Sequence, residues 1–229
     1  MERTEGSRKG EPNGKKAAAV LVAAVAIALG AYSGTAPAGP RFALELAPGP
    51  QYRSSTRWLI FALPIYPQVA CWVEDLDGRY IGTIYVTAKG ASSGWISAPK
   101  EGRPEALPVW SRAKAGRTDA VSAATSANGV LRGSDLAASL PVGRYAIMLE
   151  TNRSYDYNEA YPRESAGVSG QPSIVYRAEL LVGTAESEAA FAPIGTGSPD
   201  GADGRIREGL DGITTALELF SRMVIRYRF

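Results

Sequence analysis

Apolar and polar side chains alternate along much of this chain, and a period of two marks half-buried β-strands. In Arg41–Ala47 the residues Phe42, Leu44 and Leu46 share one face, and in Arg144–Thr151 the sharing residues are Tyr145, Ile147 and Leu149. Ser173–Val182 has the cleanest alternation, with Ile174, Tyr176, Ala178, Leu180 and Val182 opposite Arg177 and Glu179. Arg222–Phe229 repeats the pattern with Met223, Ile225, Tyr227 and Phe229. Arg57–Leu63 is nearly all apolar and reads as a more central strand, broken off by Pro64 and Pro67. Gln68–Glu74 and Arg79–Thr87 flank Asp75-Leu76-Asp77-Gly78. Asp-Gly between two β runs predicts a hairpin, because Gly accepts the positive φ of a tight turn. A calcium loop starting at Asp75 would need Glu at its twelfth position, where Val86 stands.

Little helix is expected between these runs. Lys89–Ser97 is small and polar around Trp95 and reads as an edge strand or loop. Gly133–Leu140 suits a short helical turn, and Thr215-x-x-Glu218 has capping-box spacing for one short helix near the C-terminus. Residues 195–205 carry several turn signals and read as a flexible loop. Arg103–Gly129 is too rich in Pro, Gly and small polar residues for a core element, yet it contains Trp110. A long, ordered connection between strands is where sites are often placed. The expectation is an all-β fold: a single antiparallel β-sandwich with long loops over residues 57–229, preceded by a leading strand and linker over 39–56.

The N-terminus adds a compartment. Residues 1–16 are polar and basic, and Ala17–Ala31 is free of charge. This is the pattern of a signal peptide over residues 1–38, with Ala36-Pro37-Ala38 as the cleavage region, or alternatively of a short membrane anchor. Either form puts the folded part outside the cytoplasm, in the periplasm or at the cell surface. Of 25 basic and 23 acidic side chains, five basic and three acidic lie in that segment, which leaves twenty of each beyond it. A neutral folded part gives no reason to expect nucleic-acid binding. Histidine is absent, which excludes Ser-His-Asp and Cys-His catalysis and His metal ligation. With Cys71 as the one cysteine, no internal disulfide forms, and its place in an alternating strand reads as a small core residue.

Three constellations carry candidate chemistry. Asp119-Ala120-Val121-Ser122-Ala123-Ala124-Thr125 resembles the attachment motif of extracytoplasmic flavoproteins, in which a flavin transferase joins FMN to a Thr hydroxyl through a phosphoester. Asp119, Ser122, Ala124 and Thr125 match that motif, while Ala123 stands where the family has Gly. The resemblance implies covalent FMN on Thr125 and membrane redox proteins as partners. A wider resemblance rests on residues 103–110, 119–125, 143–145, 152–159 and 170–176. In that order they are similar to an uncharacterised family of predicted periplasmic bacterial proteins, itself similar to the immunoglobulin-like domain of flagellar hook-capping proteins. It covers about residues 57–229 and implies a β-sandwich and export, but no reaction.

The third constellation is Asn152, Asp156, Asn158 and Glu159, interleaved with Tyr155, Tyr157 and Tyr161. Oxygens in one loop can hold Ca²⁺, and aromatics with amides can bind a sugar or peptide. The other reading is a long loop whose tyrosines pack on the sandwich end while Asp and Asn cap turns. Glu105, Asp156 and Glu159 are the acids that a glycosidase-like pair would draw on. The expected role is therefore a non-enzymatic binding or scaffold domain for an envelope protein partner, with Trp110 and the 152–159 loop as its ligand-binding residues. The alternative is a redox subunit with FMN on Thr125.

Overall fold

In order along the chain the strands are β1 (Arg41–Pro48), β2 (Ser54–Trp58), β3 (Phe61–Ile65), β4 (Gln68–Glu74), β5 (Tyr80–Thr87), β6 (Ser122–Ala123), β7 (Val130–Ser134), β8 (Gly143–Asn152), β9 (Ile174–Val182), β10 (Ser187–Ala190), β11 (Ala192–Thr196) and β12 (Phe220–Arg228). Two short helices, α1 (Ala88–Ser92) and α2 (Pro108–Ala113), lie in the long connection after β5. This computed structural model describes residues 39–58, 61–92, 103–114, 122–123 and 127–229. The expected signal or anchor over 1–38, the segment around Trp95, and Asp119 and Thr125 lie outside the described residues.

The architecture is an all-β sandwich. One sheet has the order β10-β12-β1-β7 and the other β11-β9-β8-β4-β5-β6. Pairing is antiparallel throughout except for β6, which runs parallel to β5 with Val86 opposite Ser122. The alternating residues meet between the sheets: Phe42, Leu44 and Leu46 of β1 and Ile225 and Tyr227 of β12 face Val69, Cys71 and Val73 of β4, Ile147 and Leu149 of β8, and Ile174 to Val182 of β9. Burial pushes the Cys71 thiol far above its ordinary range, so it is inert. The Asp75–Gly78 turn forms as its residues demand. Gly78 adopts φ 80, and Asp75 Oδ1 accepts from the Asp77 and Arg79 amides at 3.0 and 2.8 Å.

A second apolar layer covers the outer face of the six-stranded sheet. Ala70 and Trp72 of β4, Val86 of β5, Ala146 and Met148 of β8 and Val175 of β9 pack there against Leu107, Val109 and Trp110. β4 and β8 are thus buried on both faces, which explains why Gln68–Glu74 reads as almost uniformly apolar.

Several expectations are corrected. Arg57–Leu63 is not a central strand: its described residues are the end of β2 and the start of β3, which pair as a two-stranded sheet separate from both sandwich sheets, with Leu63 exposed. Pro64 is tolerated in β3 because that strand has one neighbour only. Residues 89–92 are helical. The start of the 195–205 loop belongs to β11, and Ser198 is fully buried. Gly133–Leu140 yields a 3₁₀ turn at Asp135–Ser139, where the Ser134 hydroxyl accepts from the Leu136 amide. Thr215–Glu218 is also 3₁₀, but no capping box forms, because Thr215 turns its hydroxyl elsewhere.

Candidate functional site

The chain from β8 to β9 returns through residues 153–173, and side chains from distant segments hold this loop. Asp156 lies at its centre. Its Oδ1 accepts from Arg153 Nη2 at 2.5 Å and from the Thr215 hydroxyl at 2.6 Å. Arg153 Nη1 donates to the Gln51 carbonyl, so the same guanidinium also holds the chain after β1. Gln171 continues the network, donating to Thr215 Oγ1 at 2.7 Å and accepting from the Thr214 amide at 2.7 Å. Asn152 Nδ2 donates to the Gln171 carbonyl at 3.1 Å, and Asn158 Nδ2 to the Gly212 carbonyl at 2.8 Å. Arg153 and Asp156 are 5 % and 4 % exposed. A buried ion pair at that depth leans on further hydrogen bonds; here they reach Asp156 Oδ1 and both Arg153 Nη atoms, while Asp156 Oδ2 and Arg153 Nε are buried without a hydrogen-bond partner.

A second arginine braces the loop from the other side. Arg103 Nη1 donates to Ser154 Oγ at 2.6 Å, Nη2 to Ser169 Oγ at 2.9 Å, and Nε to Glu105 Oε1 at 2.8 Å. Between these braces the backbone bends sharply: the Tyr155 and Asp156 amides donate to the Val168 and Ser169 carbonyls. Among the described residues Tyr155 is the one non-glycine with positive φ, at 62. The residue is nonetheless 45 % exposed. Its ring lies 6.5 Å from the Tyr157 ring, and the Arg163 guanidinium sits 5.4 Å from the Tyr157 centroid.

The third part is the joint between α2 and the sheet. Pro108 occupies the first turn of α2, where its missing N–H costs nothing. The next two amides, of Val109 and Trp110, donate to the fully buried Glu150 carboxylate of β8 at 3.2 and 2.8 Å, and Ser173 Oγ donates to it at 2.6 Å. Burial raises the Glu150 carboxyl to about 7, against the pull of these three donors toward the ionised form. Trp110 is buried, with Nε1 donating to Thr83 Oγ1 at 2.9 Å and the Lys114 ammonium 4.2 Å from its ring centroid.

The candidate site residues thus fall into distinct places. Asn152, Asp156 and Asn158 come together, but as the clamp of the loop: Asp156 is engaged by a guanidinium, as a salt bridge is, not a cation-binding oxygen ring. Glu159 is exposed at the loop surface. Trp110 is a core residue and offers no open face to a ligand. Of the three acids considered for a catalytic pair, Glu105 is ion-paired with Arg103 and Asp156 with Arg153. Ser122 lies in the edge strand β6, while its motif partners Asp119 and Thr125 are outside the described residues. Among the described residues no group of His, Cys, Asp and Glu is arranged to hold a metal, and no helix is long and apolar enough to cross a membrane.

Residues 65–163 match a family model described as predicted periplasmic protein (DUF2271). The matched stretch runs from the end of β3 through β4, β5, α2 and β8 to Arg163, so it includes Glu150 and the first half of the braced loop. An extracytoplasmic place fits that description. No curated protein and no solved structure matches the chain.

The pattern of the sequence did not reveal Glu150, Arg103, Arg153 or Gln171. Charged and amide side chains on an alternating strand or in a polar loop signal solvent, and here they are buried by segments far away in the chain.

Proposed function

We propose that this chain is an extracytoplasmic binding and scaffold module, immunoglobulin-like as its resemblance to the hook-capping proteins implies. It docks an envelope protein partner through the loop 152–170 and has no catalysis of its own. The observation that carries this reading is Tyr155. Left-handed backbone costs a bulky residue about 1–2 kcal/mol, and one left 45 % exposed recovers little of that by packing. Two arginine braces enforce the conformation, and its result is an aromatic held out to solvent beside Tyr157, Arg163 and the exposed Val168. Tyr and Arg are enriched at the energetic centres of protein interfaces, Tyr because it brings large contact area at low entropic cost and Arg because its planar guanidinium bonds and stacks.

The test is a photo-crosslinking amino acid placed at 155 in envelope preparations of the native host, with Val142, 75 % exposed, as the control position. A discrete protein adduct at 155, missing at 142 and lost on Arg163→Ala, is expected. Equal labelling at both positions would refute docking at this loop.

A second reading is FMN on Thr125. Ala123 replaces the Gly of the attachment motif, yet it sits in the extended strand β6, a conformation Ala adopts as readily as Gly. In that role Asp119 and Ser122 would present the Thr125 hydroxyl, and the bound flavin would supply electron transfer. Co-expression with a flavin transferase and intact-mass measurement decides it: an unmodified mass, where a known acceptor is modified, ends the reading.

A further inference from the structure

Glu150 is a carboxylate with no contact to water and three hydrogen-bond donors drawn from two other segments. The Val109 and Trp110 amides belong to α2, and the Ser173 hydroxyl stands at the entry to β9. The fourth side is closed by Gly197, where even a Cβ would come within 3.0 Å of Glu150 Oε1 and 2.4 Å of Ser173 Oγ. We propose that Glu150 is a proton-controlled latch, which holds the 107–114 segment on the outer face of the six-stranded sheet and lets it open more readily as pH rises.

The hydrogen-bond partners of the carboxylate are all uncharged, two amides of α2 and the Ser173 hydroxyl at the entry to β9, and Gly197 lies beside them. The charges on the same elements are engaged elsewhere. Arg112 donates to the Ala202 carbonyl, Lys114 lies over the Trp110 ring and Arg177 donates to Glu179. When 107–114 lifts away, Glu150 meets water and regains an ordinary carboxyl affinity for protons. The closed form therefore binds a proton that the open form releases.

The sign follows. The folded value near 7 exceeds the ordinary 4.5, so closure is strongest below pH 4.5 and weakens as pH climbs through 7. Above that it levels off. The separation of the two values sets the ceiling: the opening equilibrium grows by up to about 300-fold across the window. An extracytoplasmic domain meets the pH of its surroundings directly, so this window is one it can experience. The latch is independent of the docking reading above, since it uses neither Tyr155 nor a partner.

Hydrogen exchange on the full chain tests it. The Trp110, Ser111 and Lys114 amides are all hydrogen-bonded in the closed form. Corrected for intrinsic rates, their protection is expected to fall by up to about 300-fold between pH 4.5 and 8.5, while staying below that of the β4 core amides at every pH. Glu150→Gln, which keeps an acceptor but cannot ionise, is expected to flatten the dependence. Flat or rising wild-type protection, exchange that tracks the β4 amides, or an unchanged slope in Glu150→Gln would each overturn the latch. Should that variant not fold, NMR titration of the labelled Glu150 carboxyl in the wild type decides: a midpoint near 7 upholds it and one near 4.5 overturns it.

Discussion

Asp156→Asn separates a clamp from a ligand site, because the substitution removes charge and leaves shape. In the native chain Asp156 Oδ1 takes both the Arg153 guanidinium and the Thr215 hydroxyl, and the paired side chains are only 6 % and 4 % exposed. Asn can still accept one or both hydrogen bonds, so the main loss is the compensation of a buried positive charge. Breaking a buried pair from one side costs about 3–5 kcal/mol, and the retained hydrogen bonds place this case near the lower end, at about 3 kcal/mol. In a folded unit spanning 39–229 that corresponds to a fall in Tm of about 6–12 °C. Urea unfolding followed by tryptophan fluorescence measures it, since Trp72 and Trp110 are both buried. Glu159→Gln, in the same loop but exposed, should stay within about 0.5 kcal/mol of wild type. The double change Arg153→Met with Asp156→Leu removes the charge on both sides and should recover most of the loss. A cost below about 1 kcal/mol for Asp156→Asn, or one matched by Glu159→Gln, would refute the clamp and restore Asp156 as a residue free for ligand.

Two further predictions probe the joint around α2. Trp110→Ala empties the centre of the outer apolar layer and leaves the Thr83 hydroxyl with the Tyr80 hydroxyl as its remaining partner, so it should cost about 3–5 kcal/mol in the same urea assay. Gly201→Ala should be severe, above about 3 kcal/mol, because φ is +71 and the new Cβ would lie 2.4 Å from the Pro104 carbonyl carbon. Gly78→Ala, at φ +80 with nothing within 4 Å, should cost only the backbone term of about 1 kcal/mol; similar losses in both variants would refute the close approach of the 201 loop to residues 103–105.

The long strands were legible because alternation, or an unbroken apolar run in the case of β4, is a property of the strand itself. β1, β4, β5, β8, β9 and β12 all fall within two residues of the runs read from the sequence. Where a segment's fate depends on another part of the chain, the pattern misleads. Arg57–Leu63 is apolar enough for a central strand, but its neighbours place it in a separate hairpin. Short strands such as β7, β10 and β11 are set by the partners they pair with, and their own four or five residues carry too little period to show. Thr215 has the spacing of a capping box, yet Asp156 offers it a stronger acceptor and takes the hydroxyl. The candidate loop was found by composition, and of its two readings the one in which Asp and Asn cap turns is the one Asn158 Oδ1 follows by accepting from the Tyr161 amide, while the exposure of Tyr155 had no signal in the pattern.

The exposure of Tyr155 bears on how the loop is built. Arg103 and Arg153 reach it from opposite directions in the chain, one from the segment before α2 and the other from the end of β8. Arg103 bonds Ser154 and Ser169 of the loop, and Arg153 ties Asp156 within the loop to the Gln51 carbonyl outside it, so a shift of the loop breaks charge-assisted bonds on both sides. A loop needed only to connect β8 with β9 would relax Tyr155 into ordinary backbone and fold its ring onto the sandwich, since both changes lower its free energy. The braces prevent both. Strain that structure enforces at an exposed aromatic is what a preorganised contact surface requires, because ordering that precedes binding does not have to be met by the partner.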